Sequence, residues 1–139
     1  MSRSDRLLWV AYAAFVGLAL WLRWSERPFA LDGPLWGIKL GLWLAWGAFT
    51  AYSVRCSLHE SLLASIREIG KLHWGRQVGL DLYIGLTLAL LLIGLHAGSP
   101  WVALAWLPAL YLFGNLATLV WFAIHFDGLV ARLALAGSG

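Results

Sequence analysis

Four stretches of this chain, residues 7–24, 35–54, 78–95 and 101–126, are apolar almost without interruption. A bilayer core about 30 Å thick takes roughly 20 residues of α-helix, and each stretch approaches that length. β-Strands are excluded, because a lipid-facing barrel needs a polar residue at every second position and these runs are continuous. A helix also satisfies each backbone amide within its own segment, as lipid demands. The pattern predicts an all-α membrane protein, a four-transmembrane-helix bundle folded as a single domain over residues 1–139. Composition leaves no soluble reading open: 61% of residues are apolar and 12% charged, against about half and about a quarter in ordinary globular domains.

The connections are short and punctuated. Ser25-Glu26-Arg27-Pro28 ends the first helix, Asp32-Gly33-Pro34 launches the second, and Ala97-Gly98-Ser99-Pro100 makes the third and fourth an antiparallel hairpin. No cleavable leader is expected, since no small-residue cleavage site follows the first apolar run. Residues 57–72 differ in kind. Leu58, Leu62, Leu63, Ile66, Ile69 and Leu72 recur at helical spacing, with Arg67, Glu68 and Lys71 on other faces. This predicts an interfacial amphipathic helix between the second and third spans, opened by a capping box of Ser57 and Glu60. Pro108 interrupts the fourth run and frees the carbonyl of Leu104. The preferred reading is one kinked helix over 101–126; the rival starts the span at Ala109.

An even number of crossings places both termini and the 56–76 connection on one side. That side carries Arg3, Arg6, Arg55, Arg67, Lys71, Arg76 and Arg132, against Arg23, Arg27 and Lys39 on the other. The excess of basic residues predicts that both termini are cytoplasmic. Trp9, Tyr12, Tyr52, Trp74, Trp121 and Phe126 then fall near the inner interface, and Trp21, Trp24, Trp36 and Trp101 near the outer one, as belt anchors. Lys39, one turn into the second helix, is expected to snorkel outward. The basic residues form no stripe, so no nucleic-acid partner is expected; the partners predicted are membrane lipid and a homo-oligomer or larger membrane complex.

Polar groups inside the spans mark where chemistry would sit. Asp81 is the one ionisable residue within the third run, and a carboxylate there needs a partner, with Arg55 and then Arg76 the nearest candidates. Asp81 reads either as a structural ion pair or as a proton carrier. His59, His73 and His125, with Glu60 and Asp127, gather at the cytoplasmic face in this topology, while His96 lies on the far side. No metal site is expected, because His59-Glu60 is followed by Leu63 where a second ligand of an HExxH pair would stand. Haem is disfavoured because His96 and His125 would lie at opposite leaflets, so the cofactor stays unassigned. Asn115, with Thr118 one turn on, is expected to hydrogen-bond a neighbouring helix. Gly37 and Gly41 form a GxxxG, and Gly79 and Gly85 lighten one side of the third helix, permitting close contact within or between copies. The single Cys56 excludes an internal disulfide.

Trp74-Gly75-Arg76-Gln77-Val78-Gly79-Leu80-Asp81-Leu82-Tyr83-Ile84-Gly85, with Gly114-Asn115 in the fourth run, resembles small four-helix bacterial integral membrane protein families of no established activity. The shared feature is an aspartate just inside the third span before a Leu-Tyr-Ile-Gly run. The resemblance implies importance for Asp81; a bacterial inner-membrane location is expected. Three functions stand as expectations. The first is a non-catalytic, self-associating or accessory module that binds lipid, a hydrophobic ligand or a larger complex. The second is a membrane-embedded enzyme on a lipid or isoprenoid, using Asp81 with His59, His73 or His125. The third is a small oligomeric channel or carrier.

Overall fold

The computed structural model describes residues 3–136, and within them no strand forms. Six α-helices follow in order: α1 Arg3–Leu22, α2 Trp36–His59, α3 Leu62–Lys71, α4 His73–Ala97, α5 Pro100–Phe113 and α6 Asn115–Ala136, with a 3-10 turn at Trp24–Glu26 after α1. By length and composition α1, α4 and α6 are each able to cross a membrane. Large apolar side chains such as Val10, Leu18, Ile38, Leu80 and Leu88 stand exposed along the helices. An aqueous exterior does not carry apolar surface on that scale, so the chain is a membrane protein. α2, with 24 residues, is as long as these but is diluted by tryptophan, glycine and Lys39.

Helix ends depart from the sequence pattern where a local device overrides hydropathy. α2 runs on past residue 54 to His59, and closes where Glu60 N–H donates to the Cys56 carbonyl. Ser57 is therefore interior to α2 and caps nothing; its hydroxyl accepts from the Trp9 indole at 3.1 Å. α3 starts after Ser61, and a Cβ on Gly75 would collide with the Ile69 carbonyl, so the α3–α4 joint closes only over glycine there.

The largest correction concerns residues 101–126. The helix passes through Pro108, which rules out a start at Ala109, but it stops at Phe113. Gly114 takes φ 56° and ψ −135°, a conformation closed to side-chain-bearing residues. Its N–H donates to Leu110 at 2.8 Å, and its carbonyl accepts from Ala117 and Thr118, so one residue terminates α5 and seeds α6. The helices fold back on each other: Trp106 lies 6.5 Å from His125, and Ala109 and Leu110 share a core with Ala117 and Trp121. The fourth run is thus a helical hairpin.

α6 forms the centre of the bundle, with α1, α2, α4 and α5 packed around it. Tyr12, Val16 and Ala19 of α1 meet Leu116, Val120 and Ile124 of α6 at matching helical spacing. Since Tyr12 packs on Phe113 at 5.0 Å while Arg23 lies with Gly128 and Arg132, α6 runs parallel to α1. The start of α1 and the end of α6 therefore lie at opposite ends of the bundle, against the expectation that they share a side. We call the end with Arg3, His59 and His73 the lower end, and the end with Arg23, Lys39 and His96 the upper.

Candidate functional site

α5 has 14 residues, which is about 21 Å of helix, too short to follow its neighbours down the bundle. Its tip is recorded by its contacts: Tyr111 lies 5.3 Å from Tyr83, and Phe113 packs on Tyr12. Tyr83 is about 15 Å along α4 from its first residue, and Tyr12 about 14 Å along α1. Below the Gly114 turn, α1, α2 and α4 therefore continue with nothing between them.

That space is a cavity of about 400 Å³, walled by Leu8, Phe49, Leu82, Leu86, Leu112 and Leu116, with Asp5, Tyr52, Cys56, Glu60, Tyr83, Tyr111 and Asn115 also on its lining. Leu62 and Ile66 of α3 close it from below, and Ser65 donates to the Glu60 carboxylate at 2.8 Å. Thr87 gives its hydroxyl proton to the Tyr83 carbonyl at 2.8 Å. The Tyr111 hydroxyl, also 2.8 Å away, is then the donor to Thr87. A mostly apolar wall with a few polar groups, in this size range, is the make-up of a small-molecule pocket.

Most residues singled out in the sequence lie elsewhere. Asp81 is exposed on α4 and forms no ion pair with Arg55 or Arg76 among the described residues. Arg55 is exposed, and Arg76 donates to His73 Nδ1 at 2.9 Å. One helical turn of α4 separates Arg76 from Asp81, and the guanidinium turns back toward the helix start. His59 and His73 are exposed at the lower end. Glu60 and Asn115 do reach the cavity wall. Neither Asn115 nor Thr118 bonds a neighbouring helix among the described residues; Thr118 donates back to the Gly114 carbonyl at 3.4 Å. A Cβ on Gly37, Gly41, Gly79 or Gly85 would meet open space, so none of these glycines serves a close contact within the chain.

His125 and Asp127 are not at the lower end, because the Gly114 hairpin returns them upward. His125 is buried, stacked on Trp121 at 4.8 Å, and its ring centre is 5.8 Å from that of His96. The expected separation of these histidines across the membrane is overturned by the same hairpin. Trp121 is likewise core and no belt residue. Asp127 accepts from Lys39 Nζ at 2.6 Å. Lys39 does not snorkel: it is 1% exposed, held by Asp127 and the Arg27 carbonyl. Around it Trp43 donates to the Pro28 carbonyl at 3.0 Å, fastening the 27–33 connection over the top of α2.

What the sequence reading missed is the Gly114 turn and, with it, both the cavity and the Lys39–Asp127 pair. The available signal was Gly114-Asn115, a turn-forming pair inside an apolar run. Among the described residues no group of three or more histidine, cysteine or acidic side chains is disposed to hold a metal ion. No model of a known protein family matches the chain, and no curated protein or solved structure matches it.

Proposed function

We propose that the chain is a non-catalytic membrane module that holds a lipid or similar hydrophobic ligand in the cavity beneath Gly114. The observation that carries this reading is the cavity itself: about 400 Å³, walled largely by leucine and aromatic side chains, within the range of pockets that enclose small molecules. In this reading α1, α2 and α4 cross the bilayer, and α5–α6 is a re-entrant hairpin dipping from the upper face. Non-spanning backbone at that depth is tolerated because it is buried in protein. α3 lies in the lower interface, with Leu63 and Ile69 toward lipid and Arg67 and Lys71 toward water.

Charge then orients the molecule. The lower end carries Arg3, Arg6, Arg55, Arg67, Lys71 and Arg76, and the upper Arg23, Arg27, Lys39 and Arg132, so the lower end is cytoplasmic and the end of α6 is on the opposite face. Self-association, if it accompanies ligand binding, would use the outward Gly37–Gly41 face of α2, where small residues admit a second helix.

The enzyme reading gains nothing from the geometry, because Asp81, His59, His73 and His125 are all outside the cavity wall. A channel through one copy is opposed by the aromatic packing of Tyr12, Phe15, Trp106 and Phe113 above the cavity.

The test is mass spectrometry of lipid retained by the protein in mild detergent, for the wild type and for a variant of Ser53, a residue of α2 on the cavity wall: in Ser53→Trp the indole would fill the cavity. Retention by the wild type and loss in a Ser53→Trp protein of unchanged helicity is expected. Equal retention by both, or none by the wild type, overturns the reading.

A further inference from the structure

A second cavity lies at the other end of the bundle, about 330 Å³ in volume, and its wall differs in kind: Arg23, Glu26, His96, His125 and Arg132 line it, with Trp121 behind. Arg23 is engaged by Glu26 at 2.5 Å. Arg132 is exposed and pairs with no carboxylate among the described residues, so it brings a free positive charge to the cavity mouth. His96 Nδ1 is buried with no hydrogen-bond partner, a state that costs free energy unless a ligand or water supplies one. His125 Nδ1 lies 2.9 Å from the Trp121 carbonyl. A carbonyl only accepts, so Nδ1 carries the proton and Nε2 of the neutral ring is left as an acceptor.

The cavity thus offers one unengaged guanidinium, which selects an oxyanion, beside the His125 ring, whose Nε2 is an acceptor for a hydroxyl. We infer that it binds a polyol phosphate: a phosphate taken by Arg132, whose neighbouring hydroxyl donates to His125 Nε2. Two sources share that chemistry, the headgroup of an anionic glycerolipid and a free sugar or glycerol phosphate. The site is independent of the cavity beneath Gly114, from which it is separated by the packed aromatic core.

The experiment is native mass spectrometry of the full chain in mild detergent, titrated with dioleoylphosphatidylglycerol. Saturable binding of one Arg132-dependent lipid, counted apart from any held beneath Gly114, is expected, weakened about tenfold in Arg132→Gln and largely restored in Arg132→Lys. Arg132 is exposed, so neither change endangers the fold. Dioleoylglycerol, which lacks the phosphate, should not compete. Displacement by glycerol 1-phosphate at similar concentration would identify the soluble phosphate as the ligand, and its failure the lipid headgroup. Unchanged affinity in Arg132→Gln, or equal competition by dioleoylglycerol, overturns the inference. Loss of the Arg132-dependent lipid in Ser53→Trp overturns it too, by assigning that lipid to the cavity under Gly114, whereas loss of any other lipid there, or failure of the Ser53→Trp test, leaves this site standing.

Discussion

The Lys39–Asp127 pair ties the middle of α6 to the start of α2, and a double-substitution cycle measures what it holds. Lys39 is 1% exposed and its Nζ is 2.6 Å from Asp127, whose side chain is 45% exposed. In Asp127→Asn the ammonium stays buried without its counter-charge. Removing one partner of a fully buried pair costs about 3–5 kcal/mol. The half-open carboxylate and the remaining Arg27 carbonyl at 3.5 Å put the expected loss toward the lower end, about 3 kcal/mol. Lys39→Met in the same background removes the charge while filling the space with a flexible apolar chain. The double variant should therefore return to within about 1 kcal/mol of wild type, because apolar replacement of a buried pair is often neutral. Reversible unfolding in mixed micelles, followed by far-ultraviolet circular dichroism, gives all four stabilities. An Asp127→Asn protein as stable as wild type, or a double variant no better than that single one, would refute the argument.

Two further outcomes follow from local geometry. Gly98 sits in the ordinary left-handed region at φ 64° and ψ 22°, whereas Gly114 lies at φ 56° and ψ −135°, and neither is crowded. Backbone strain alone should make Gly98→Ala cost about 1 kcal/mol and Gly114→Ala about 2–3 kcal/mol; equal losses would count against the hairpin turn. Tyr12→Phe removes the acceptor that Trp46 Nε1 reaches at 2.6 Å, and should lower stability by about 1 kcal/mol, with no loss at all as the contrary result.

Hydropathy was sufficient to read the helical class and the first helix, because α1 has no competing signal between Arg6 and Leu22. It misjudged boundaries wherever a hydrogen bond outlasted the apolar pattern, as at the end of α2, where Arg55 and His59 remain helical. It failed at Gly114, since a turn made of one glycine leaves the average hydropathy of 101–126 untouched. Every site assignment downstream inherited that error. Counting crossings placed His125 beside His59 and His73; the hairpin instead places it against His96. The partner of Lys39 was unreadable for a related reason: pairing between positions 88 residues apart depends on fold-back, not on spacing. Glu60 and Asn115 reached the cavity wall, but the leucines and tyrosines that define it look in sequence like any other lipid-facing residues.

The account stands on α6 running parallel to α1, with the hairpin reversing at Gly114, and labelling sidedness reads that directly. In a Cys56→Ser background, Arg67→Cys and Leu135→Cys would be probed separately with a membrane-impermeant maleimide in intact bacterial cells and after permeabilisation. The account predicts that Leu135→Cys is labelled in intact cells and Arg67→Cys only after permeabilisation. Labelling of both positions from the same side would contradict it.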